Sequence, residues 1–444
     1  MRDVERIDQT ALFELCGHNN TVLAIHNEEP IDTIQFRRHV ERLASKLCGG
    51  ATYHINLCED RYYFLVAFAA AVLNNQINLL PSSRAPKEIE RLQSIYSDSD
   101  LIEDATVQAI CTQATSDRNE DKLNWLISAE QLVAIVFTSG STGQPKANTK
   151  YWGQLVASAQ RVASRLEINA KQPHCIVATV PPQHMFGFET TIIFPLVLGV
   201  CIHAGRPFYP CDVQQTLAAQ TMSPILVTTP LHLKACVTES ISWPYIDMIL
   251  SATAPLSQEL ATQAESTLNT QVYEIYGCSE VGAIATRRAT QQIAWQLLPD
   301  TEFVDMNACI QLSIPELAKP VILPDKIECV EHDTFHLVGR HHDMVNIAGK
   351  RGSLAALTHH LKSIPGVEDG VFFLPEQANE QRVRLVAIVV APDLTIDEIK
   401  FALSQHVDAV FMPRTWVKVE QLPYNELGKL PRQDLLALIA SSTK

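Results

Sequence analysis

The stretch that decides the fold is Val133-Ala-Ile-Val-Phe137 followed by Thr138-Ser-Gly-Ser-Thr-Gly-Gln-Pro-Lys146. The first part is rich in β-branched residues and predicts a buried strand. The second part places hydroxyl groups, glycines and a lysine between that strand and a helix predicted over 152–166. Backbone N–H groups, hydroxyl donors and an ammonium group together suit an anion. The stretch therefore predicts a phosphate-binding loop made of Thr138, Ser139, Gly140, Ser141, Thr142, Gly143 and Lys146.

A Walker A loop and a plain polar turn are the two alternatives for a loop of this composition. A Walker A loop has a glycine immediately before its lysine, and this chain has Pro145 at that position. A plain polar turn is also rich in serine, threonine and glycine, but a Pro-Lys ending is not typical of such turns. Phosphate binding is therefore the preferred interpretation of the loop.

The composition indicates an acidic, folded protein. The chain has 444 residues, of which 46% are hydrophobic and 19% charged, and its formal net charge is −14. This length predicts two or three domains. The negative charge argues against nucleic acid or an anionic membrane surface as a partner, because both attract basic proteins.

The sequence patterns for targeting and for cysteine favour a cytoplasmic protein. The N-terminus lacks the apolar segment of a signal peptide. The longest apolar run, from Phe64 to Leu73, is too short to span a bilayer and predicts a buried helix. The 11 cysteines are scattered, which disfavours a disulfide framework. We therefore expect a cytoplasmic protein with no stable membrane insertion.

Alternating strands and helices predict an α/β architecture for most of the chain. Buried strands are expected at 175–180, 225–229, 246–250 and 272–275, which favours a largely parallel sheet. After Gly339 the pattern changes to a compact α+β unit of ordinary domain size. We predict a large α/β N-terminal domain with mostly parallel sheets over 1–339, and a small α+β C-terminal domain over 340–444 joined to it by a hinge.

Further short motifs follow along the chain. Four of them are Tyr276-Gly-Cys-Ser-Glu280, Leu323-Pro-Asp325, Gly339-Arg-His-His-Asp-Met-Val-Asn-Ile-Ala-Gly-Lys-Arg351 and Leu422-Pro-Tyr-Asn-Glu-Leu-Gly-Lys429. Two more segments are Pro181-Pro-Gln-His184-Met-Phe-Gly187 and Ser251-Ala-Thr-Ala-Pro255. Small residues such as those of the last segment let the backbone approach a planar ligand closely.

Taken in this order, the motifs resemble those of the ANL superfamily, which comprises acyl-CoA synthetases, the adenylation domains of nonribosomal peptide synthetases, and luciferases. The resemblance covers most of the chain. It departs from the family pattern at Ala147, where the family has glycine, and at Leu323-Pro324, where the family has Thr-Gly. It departs again at His342, because the family hinge usually carries aspartate or lysine there.

The resemblance implies a catalytic role for three residues. Lys429 is expected to be the mobile catalytic lysine, and Glu280 is expected to help to hold Mg²⁺. Lys146 and the hydroxyl loop are expected to bind the β- and γ-phosphates of ATP. Contacts to the adenine, ribose or phosphates are implied for Tyr276, Gly277, Ser279, Asp325, Arg340 and Arg351, and the hinge position is implied for His342.

The resemblance also implies where the acid binds. The residues expected in the acid pocket come from two segments, His184, Phe186 and Phe188 in one and Ala252, Thr253 and Ala254 in the other. The run from 181 to 191 and the compact length resemble the ligases of bacterial aryl polyene and xanthomonadin-type pigment clusters. That finer resemblance implies an aromatic acid such as a hydroxybenzoate or a hydroxycinnamate.

The implied function is ATP-dependent activation of a carboxylic acid to acyl-AMP, with Mg²⁺, and transfer to the phosphopantetheine thiol of an acyl carrier protein. Three alternatives stay open. In the first alternative, the acceptor is free CoA. In the second, the substrate is an amino acid, for whose ammonium group Glu189 is the only acidic residue in the segment 186–191. In the third, the protein is a non-catalytic nucleotide-binding or carrier-docking module. The sequence leaves the identity of the acid and the oligomeric state open.

Overall fold

The computed structural model describes residues 12–16, 21–113, 125–138, 146–168, 172–306, 309–317, 319–323, 325–340, 344–347, 350–375, 385–407, 409–425 and 428–442. The chain divides into two compact units, one of Met1–Met306 with Gln311–Val321 and one of Asn307–Ile310 with Ile322–Lys444. The boundary predicted at 339/340 concerns the position of the hinge and stays a prediction. Among the described helices, none combines the length and apolar character needed to cross a membrane.

Strands and helices alternate along the chain. As far as residue 306 the strands are β1 (Leu12–Glu14), β2 (Val22–His26), β3 (Glu29–Asp32), β4 (Tyr53–Asn56), β5 (Ile77–Leu80), β6 (Ser99–Ile102), β7 (Leu126–Ser128), β8 (Leu132–Thr138), β9 (Lys146–Tyr151), β10 (His174–Ala178), β11 (Cys201–His203), β12 (Ser223–Thr228), β13 (Met248–Ser251), β14 (Gln271–Cys278), β15 (Gly282–Arg287), β16 (Trp295–Leu297) and β17 (Glu302–Met306). The helices are α1 (Thr33–Leu47), α2 (Arg61–Leu73), α3 (Pro86–Ile95), α4 (Asp104–Cys111), α5 (Trp152–Leu166), α6 (Met185–Phe188), α7 (Phe194–Leu198), α8 (Pro210–Ala218), α9 (Pro230–Thr238) and α10 (Gln258–Leu268). A π-helical turn, Glu189–Ile193, joins α6 to α7.

Shorter elements complete the chain. The remaining strands are β18 (Cys309–Ser313), β19 (Val321–Ile322), β20 (Asp325–Cys329), β21 (Thr334–Arg340), β22 (Met344–Ile347), β23 (Lys350–Ser353), β24 (Asp369–Phe373), β25 (Val386–Val390) and β26 (Thr415–Lys418). The remaining α-helices are α11 (Leu354–Lys362), α12 (Ile396–Ser404) and α13 (Arg432–Ser442).

A five-stranded sheet holds the strand that precedes the predicted phosphate-binding loop. Its strand order is β6-β4-β5-β8-β9, with β9 antiparallel to β8 and the other neighbours parallel. The strand predicted at 133–137 is β8, and the helix predicted at 152–166 is α5. The sequence patterns did not predict β9, which turns the side chains of Asn148 and Lys150 inward. These polar residues are buried because the antiparallel pairing fixes which face of β9 meets the interior.

A larger sheet forms the rest of the first unit's framework. Nine strands of this unit run in the order β16-β15-β14-β13-β12-β10-β11-β2-β3, which we call the large sheet. The strands from β14 to β2 are parallel neighbours, and the edges formed by β15, β16 and β3 are antiparallel. The predicted α/β class with a largely parallel sheet is therefore confirmed.

The helix α2 shows how composition determines burial. Its residues are apolar around the whole helix, so it packs inside the main core of the first unit, as the run from Phe64 to Leu73 predicted. It begins at Arg61 because the side chain of Asp60 accepts a hydrogen bond from the backbone N–H of Tyr63 at 3.0 Å.

The second unit contains a small α+β arrangement, as predicted. Its three-stranded sheet has the order β24-β25-β26. Alternate residues of β25 face opposite sides: Ala387 and Val389 pack with Leu361 and Ile399 from α11 and α12, whereas neighbouring residues of β25 pack with Leu435 of α13. The two-residue period of the strand thus separates two small cores, one on each face of the sheet.

Candidate active site

Three predicted segments follow parallel strands of the large sheet. The segment of His184 follows β10, the segment 252–254 follows β13, and the segment 276–280 lies at the end of β14. Parallel strands end at the same edge of a sheet, and open α/β sheets bind their ligands at that carboxyl edge. The fold therefore brings the predicted acid and adenine segments to one edge.

The segment predicted to border the adenine is held by an aromatic contact. Tyr276 is buried, and its ring centroid lies 5.6 Å from that of Trp295. The guanidinium of Arg287 lies over the other ring, 4.5 Å from the centroid of Trp295. Gly277 is exposed beside Tyr276, and Ser279 is partly exposed in the turn that joins β14 to β15. Exposed backbone next to a fixed ring suits a planar base.

The acid segments differ in how much surface they present. Thr253 has φ +80°, a conformation that is strained for a β-branched residue and is concentrated at functional sites. Ala252 is buried, and Ala254 is partly exposed.

Of the predicted aromatic residues, Phe188 lies inside the core with its ring centroid 5.3 Å from that of Phe68. His184 and Phe186 are partly exposed. His184 and Phe186 are therefore the accessible members of the three aromatic residues predicted to line the acid pocket. The role of all three in that pocket stays a prediction.

The first and last residues of the phosphate-loop motif are partners in the pairing of β8 with β9. Thr138 ends β8, Lys146 opens β9, and the antiparallel register places the two opposite each other. The loop residues Ser139, Gly140, Ser141, Thr142 and Gly143 lie outside the described part of the chain. The structure thus describes the two ends of the motif, next to each other at the edge of the five-stranded sheet.

Lys146 meets Glu280 across the two sheets. The Nζ atom of Lys146 donates to Oε1 of Glu280 at 2.5 Å. Burial raises the pKa of the Glu280 carboxyl, but the hydrogen bond and the charge of Lys146 outweigh it, so this pKa lies below its ordinary value. Glu280 is therefore an ionised, partly exposed carboxylate, which is the kind of hard oxygen ligand that suits Mg²⁺.

A buried polar cluster next to Glu280 was not predicted from the sequence. Lys150 is 2% exposed, and its Nζ atom donates to the backbone oxygen of Glu280 at 3.0 Å. Glu189 is also buried, and it accepts from the hydroxyl of Ser158 at 2.8 Å. No local pattern in the sequence predicts this cluster, because two polar residues at alternate positions of a strand, such as Asn148 and Lys150, normally face solvent.

The residues predicted to contact the ribose belong to the second unit. Asp325 opens β20 and Arg340 ends β21, and the register of this hairpin places them directly opposite each other. Two residues predicted to contact the same sugar are thus neighbours across one hairpin. The side chain of Arg340 and that of Arg351 in β23 lie outside the described part of the chain, as does His342.

Lys429 lies on a loop anchored at both sides within the second unit. On one side, the hydroxyl of Tyr424 donates to Asp369 at 2.8 Å. On the other, the guanidinium of Arg432 lies 4.9 Å from the ring centroid of Phe373. The side chain of Lys429 is exposed between these anchors. The backbone of Lys429 also pairs with Asn425, and an exposed lysine held in this way can present an ammonium group to a ligand.

Comparison with protein families identifies this combination of segments. Residues 51–308 match the model of the AMP-binding enzyme family, which is more than half of the chain. The chain belongs to the AMP-binding enzymes. It is an adenylate-forming ligase that uses ATP to activate a carboxylic acid. The match covers the phosphate-loop motif, the acid segments and the 276–280 segment.

Curated relatives of this AMP-binding enzyme are ligases. It is 24% identical over 296 residues to a 4-coumarate–CoA ligase of Cereibacter sphaeroides, which covers 66% of this chain and 69% of the relative. It is 20% identical over 321 residues to a 3,4-dihydroxybenzoate–[aryl-carrier protein] ligase of Bacillus anthracis, with coverage of 70% and 75%.

Solved structures share its fold. The o-succinylbenzoate CoA synthetase of Bacillus subtilis, solved with its acyl-adenylate intermediate, superimposes with a TM-score of 0.79 at 17% identity, covering 94% of this chain and 95% of that one. The same synthetase solved with ATP and a magnesium ion has a TM-score of 0.76 at 17% identity, with coverage of 94% and 97%.

Proposed function

We propose that this AMP-binding enzyme activates an aromatic carboxylic acid, such as a hydroxybenzoate or a hydroxycinnamate, and passes it to the phosphopantetheine thiol of an acyl carrier protein. The observation that supports the adenylation step most directly is the contact of Lys146 with Glu280 at the carboxyl edge of the large sheet. This contact joins a phosphate-binding cation to a metal-binding carboxylate beside the acid and adenine segments. Such a grouping suits MgATP positioned for attack by an acid.

The first half-reaction joins two anions. A carboxylate oxygen attacks the α-phosphorus of ATP, the bond from that phosphorus to the bridging oxygen breaks, and pyrophosphate leaves. Lys146 binds the β- and γ-phosphates, and Lys429 stabilises the charge that develops at the α-phosphate. When bound, Mg²⁺ would be held through Glu280 and would supply positive charge that neutralises part of the charge of the triphosphate.

The second half-reaction releases AMP. The thiolate attacks the acyl carbon of the mixed anhydride, and the bond from that carbon to the phosphate oxygen breaks. In the proposal, the residues from 340 to 444 turn about a hinge at His342 between the two halves, so that Lys429 withdraws and the thiol enters. The sequence motifs support this division of labour.

The choice of an aromatic acid rests on relatives and on the pocket segment. These relatives carry 4-coumarate, 3,4-dihydroxybenzoate and o-succinylbenzoate in their names, and each of these acids contains a ring. The resemblance to the pigment-cluster ligases points to the same class. The partly exposed His184 and Phe186 offer flat surface to a ring.

An amino acid substrate is disfavoured by the surroundings of Glu189. This carboxylate already accepts a hydrogen bond from Ser158 and lies near the buried ammonium group of Lys150. A substrate ammonium group would have to displace these partners. The non-catalytic alternative is disfavoured because Lys429, Glu280 and Asp325 are all present.

The test is pyrophosphate exchange with a panel of acids. We expect 4-coumarate or a hydroxybenzoate to exceed acetate, octanoate and L-tyrosine by at least about tenfold. Acetate forfeits apolar burial, worth ~25 cal/mol per Å², and octanoate does not fit a pocket shaped for a ring. Exchange with acetate, octanoate or L-tyrosine above that with every aromatic acid lacking an amino group would contradict the proposal.

The acceptor is tested separately. The chain carries 35 Lys+Arg against 49 Asp+Glu, so it repels the 3′-phosphate and diphosphate of free CoA unless cations cluster locally. A carrier protein needs only a docking patch with a small apolar centre. We expect kcat/KM for a cognate holo-carrier protein to exceed that for CoA. Equal or better use of CoA would assign the enzyme to the acyl-CoA synthetases. A cytoplasmic location completes the proposal.

A further inference from the structure

Two buried charged residues contact the turn that carries Glu280. From β9, Lys150 donates to the backbone oxygen of Glu280 at 3.0 Å. From the π-helical turn, the carboxylate of Glu189 accepts from the backbone N–H of Ala283 at 3.4 Å. Lys150 thus contacts the turn itself, and Glu189 contacts the start of β15 directly after it.

Gly282 shows how closely Glu189 approaches this turn. Its φ is +104°, and a Cβ atom added there would lie 2.4 Å from Oε1 of Glu189. The carboxylate therefore lies directly against the backbone where the turn ends. A hydrogen bond from Ser158 at 2.8 Å holds it in this position.

Burying two opposite charges costs desolvation free energy, so stability alone does not explain why Lys150 and Glu189 are buried. Burial lowers the pKa of Lys150 and raises that of Glu189, and in each case the charge of the other residue opposes the shift. Lys150 and Glu189 act on each other through their charges, and opposite buried charges of this kind can, like a buried ion pair, often be replaced by apolar residues without loss of stability. A pair kept in spite of this cost is expected to specify one conformation of the backbone that it contacts.

We propose that Lys150 and Glu189 are positioning residues that hold the β14–β15 turn in the conformation in which Glu280 binds the Mg²⁺ of ATP. The inference rests on the proposed function only through the role of Glu280 as a metal ligand. It adds two residues outside the predicted motifs. Residues that orient a metal ligand commonly change metal affinity about 10- to 100-fold when they are replaced.

The test uses a double variant that removes both charges. In K150M/E189Q the side chains keep nearly the same volume, and glutamine can still accept from Ser158, but the donor to the oxygen of Glu280 is lost. The single variant K150M leaves an unpaired buried carboxylate and is expected to unfold more easily. The double variant avoids that penalty.

A second buried pair provides the matched control. Arg161 of α5 pairs with Glu316, and their side chains are 9% and 7% exposed. R161M/E316Q removes one positive and one negative charge from the same unit and keeps both contacts to the β14–β15 turn. Because the charge of Arg161 also acts on Glu189, this control separates a change in the electrostatics around Glu189 from the loss of the contacts themselves. E280Q provides the reference for loss of the metal ligand itself.

Calorimetry would measure the affinity for ATP with Mg²⁺ and with EDTA, in the absence of any acid. We expect Mg²⁺ to strengthen ATP binding by the wild-type enzyme and by R161M/E316Q to the same degree. In K150M/E189Q, as in E280Q, this metal-dependent gain should fall at least about tenfold, while metal-free ATP binds as in the wild type. Thermal unfolding would establish that all variants fold.

The outcomes separate the two proposals. A folded K150M/E189Q with the full metal-dependent gain would overturn the positioning role and leave the proposed function intact. A wild-type enzyme that binds MgATP but supports pyrophosphate exchange with no acid would contradict the proposed function alone. A wild-type enzyme whose ATP affinity does not depend on Mg²⁺ would overturn the role of Glu280 as a metal ligand and the positioning role with it, whereas pyrophosphate exchange would still decide the proposed function.

Discussion

The Nζ atom of Lys146 lies 2.5 Å from Oε1 of Glu280, although 134 positions separate the two residues in the chain. In the proposed function they have different partners, because Lys146 binds phosphate and Glu280 binds Mg²⁺. Each charge therefore compensates the other until MgATP arrives. The side chain of Lys146 is 60% exposed, so the pair contributes roughly 0–1 kcal/mol to stability and exchanges readily.

Replacing Lys146 by methionine should impair adenylation without unfolding the protein. We expect pyrophosphate exchange by K146M to fall about 10²- to 10³-fold, which is the scale for one preorganised contact to developing charge. The free energy of unfolding should change by less than about 1 kcal/mol, because the pair is exposed. Exchange kinetics and urea unfolding measure the two effects.

Lys400 provides the control for K146M. It forms an exposed pair with Asp397 at 3.1 Å, so K400M removes a comparable contact away from the candidate site. K400M should exchange pyrophosphate like the wild type. Equal exchange by K146M and K400M would exclude Lys146 from the adenylation step.

Lys429 should matter for only one half-reaction. We expect K429A to lose acyl-adenylate formation by about 10²- to 10³-fold. Thioester formation from supplied acyl-adenylate should be largely spared, since the proposed rotation withdraws this lysine. Single-turnover assays of each half measure the difference. Equal losses in both halves would rule out the proposed alternation of the C-terminal residues.

The hinge prediction places rotation at His342. Proline fixes φ and removes a backbone donor, so H342P should hold one orientation of the C-terminal residues. We expect pyrophosphate exchange to persist while thioester formation falls sharply. An overall rate equal to that of the wild type would locate the hinge elsewhere.

Gly282 should tolerate a methyl group poorly. Alanine at this position would adopt φ +104° and meet the buried carboxylate of Glu189. Gly49 is the matched control, because its φ is +72° and nothing lies within 4 Å of an added Cβ. G49A should lose about 1–2 kcal/mol through backbone strain, and G282A should lose about 1–3 kcal/mol more through overpacking. Equal losses of unfolding free energy for G49A and G282A in urea would show that the side chain of Glu189 moves away from the added methyl group.

His39 should make stability depend on pH. Burial, with smaller contributions from Arg42 and His26, lowers its pKa from 6.5 to about 4. Below pH 6.5 His39 binds a proton in the unfolded chain but stays neutral in the folded protein, which favours unfolding. The contribution of His39 to stability is therefore fully present above pH 6.5. It is lost as the pH falls towards 4.

The variant H39Q isolates that contribution. Glutamine keeps a polar partner for the hydroxyl of Tyr62, which lies 2.6 Å from Nδ1 of His39. Between pH 7 and pH 4 the wild type should lose about 3 kcal/mol more unfolding free energy than H39Q. Parallel pH dependence of the two proteins in urea unfolding would contradict this assignment.

Local patterns in the sequence were sufficient for much of the framework. The β-branched run at 133–137 and the apolar period at 152–166 correspond to β8 and α5, because strand and helix periods are read from neighbouring residues. The motif at 276–280 likewise predicted a role for Glu280, and the spacing of motifs predicted roles for Asp325 and Arg340. Only the hairpin register then placed these last two opposite each other.

Only the tertiary structure determines that the polar stretch Lys146–Tyr151 forms a strand. Its residues look like a continuation of the loop, and they form β9 only because β8 supplies hydrogen-bond partners. The burial of Lys150 could not be predicted either, since a lysine is normally solvated. A buried charge is tolerated only where partners meet it, and folding brings Lys150 to the backbone of Glu280 and to the neighbourhood of Glu189.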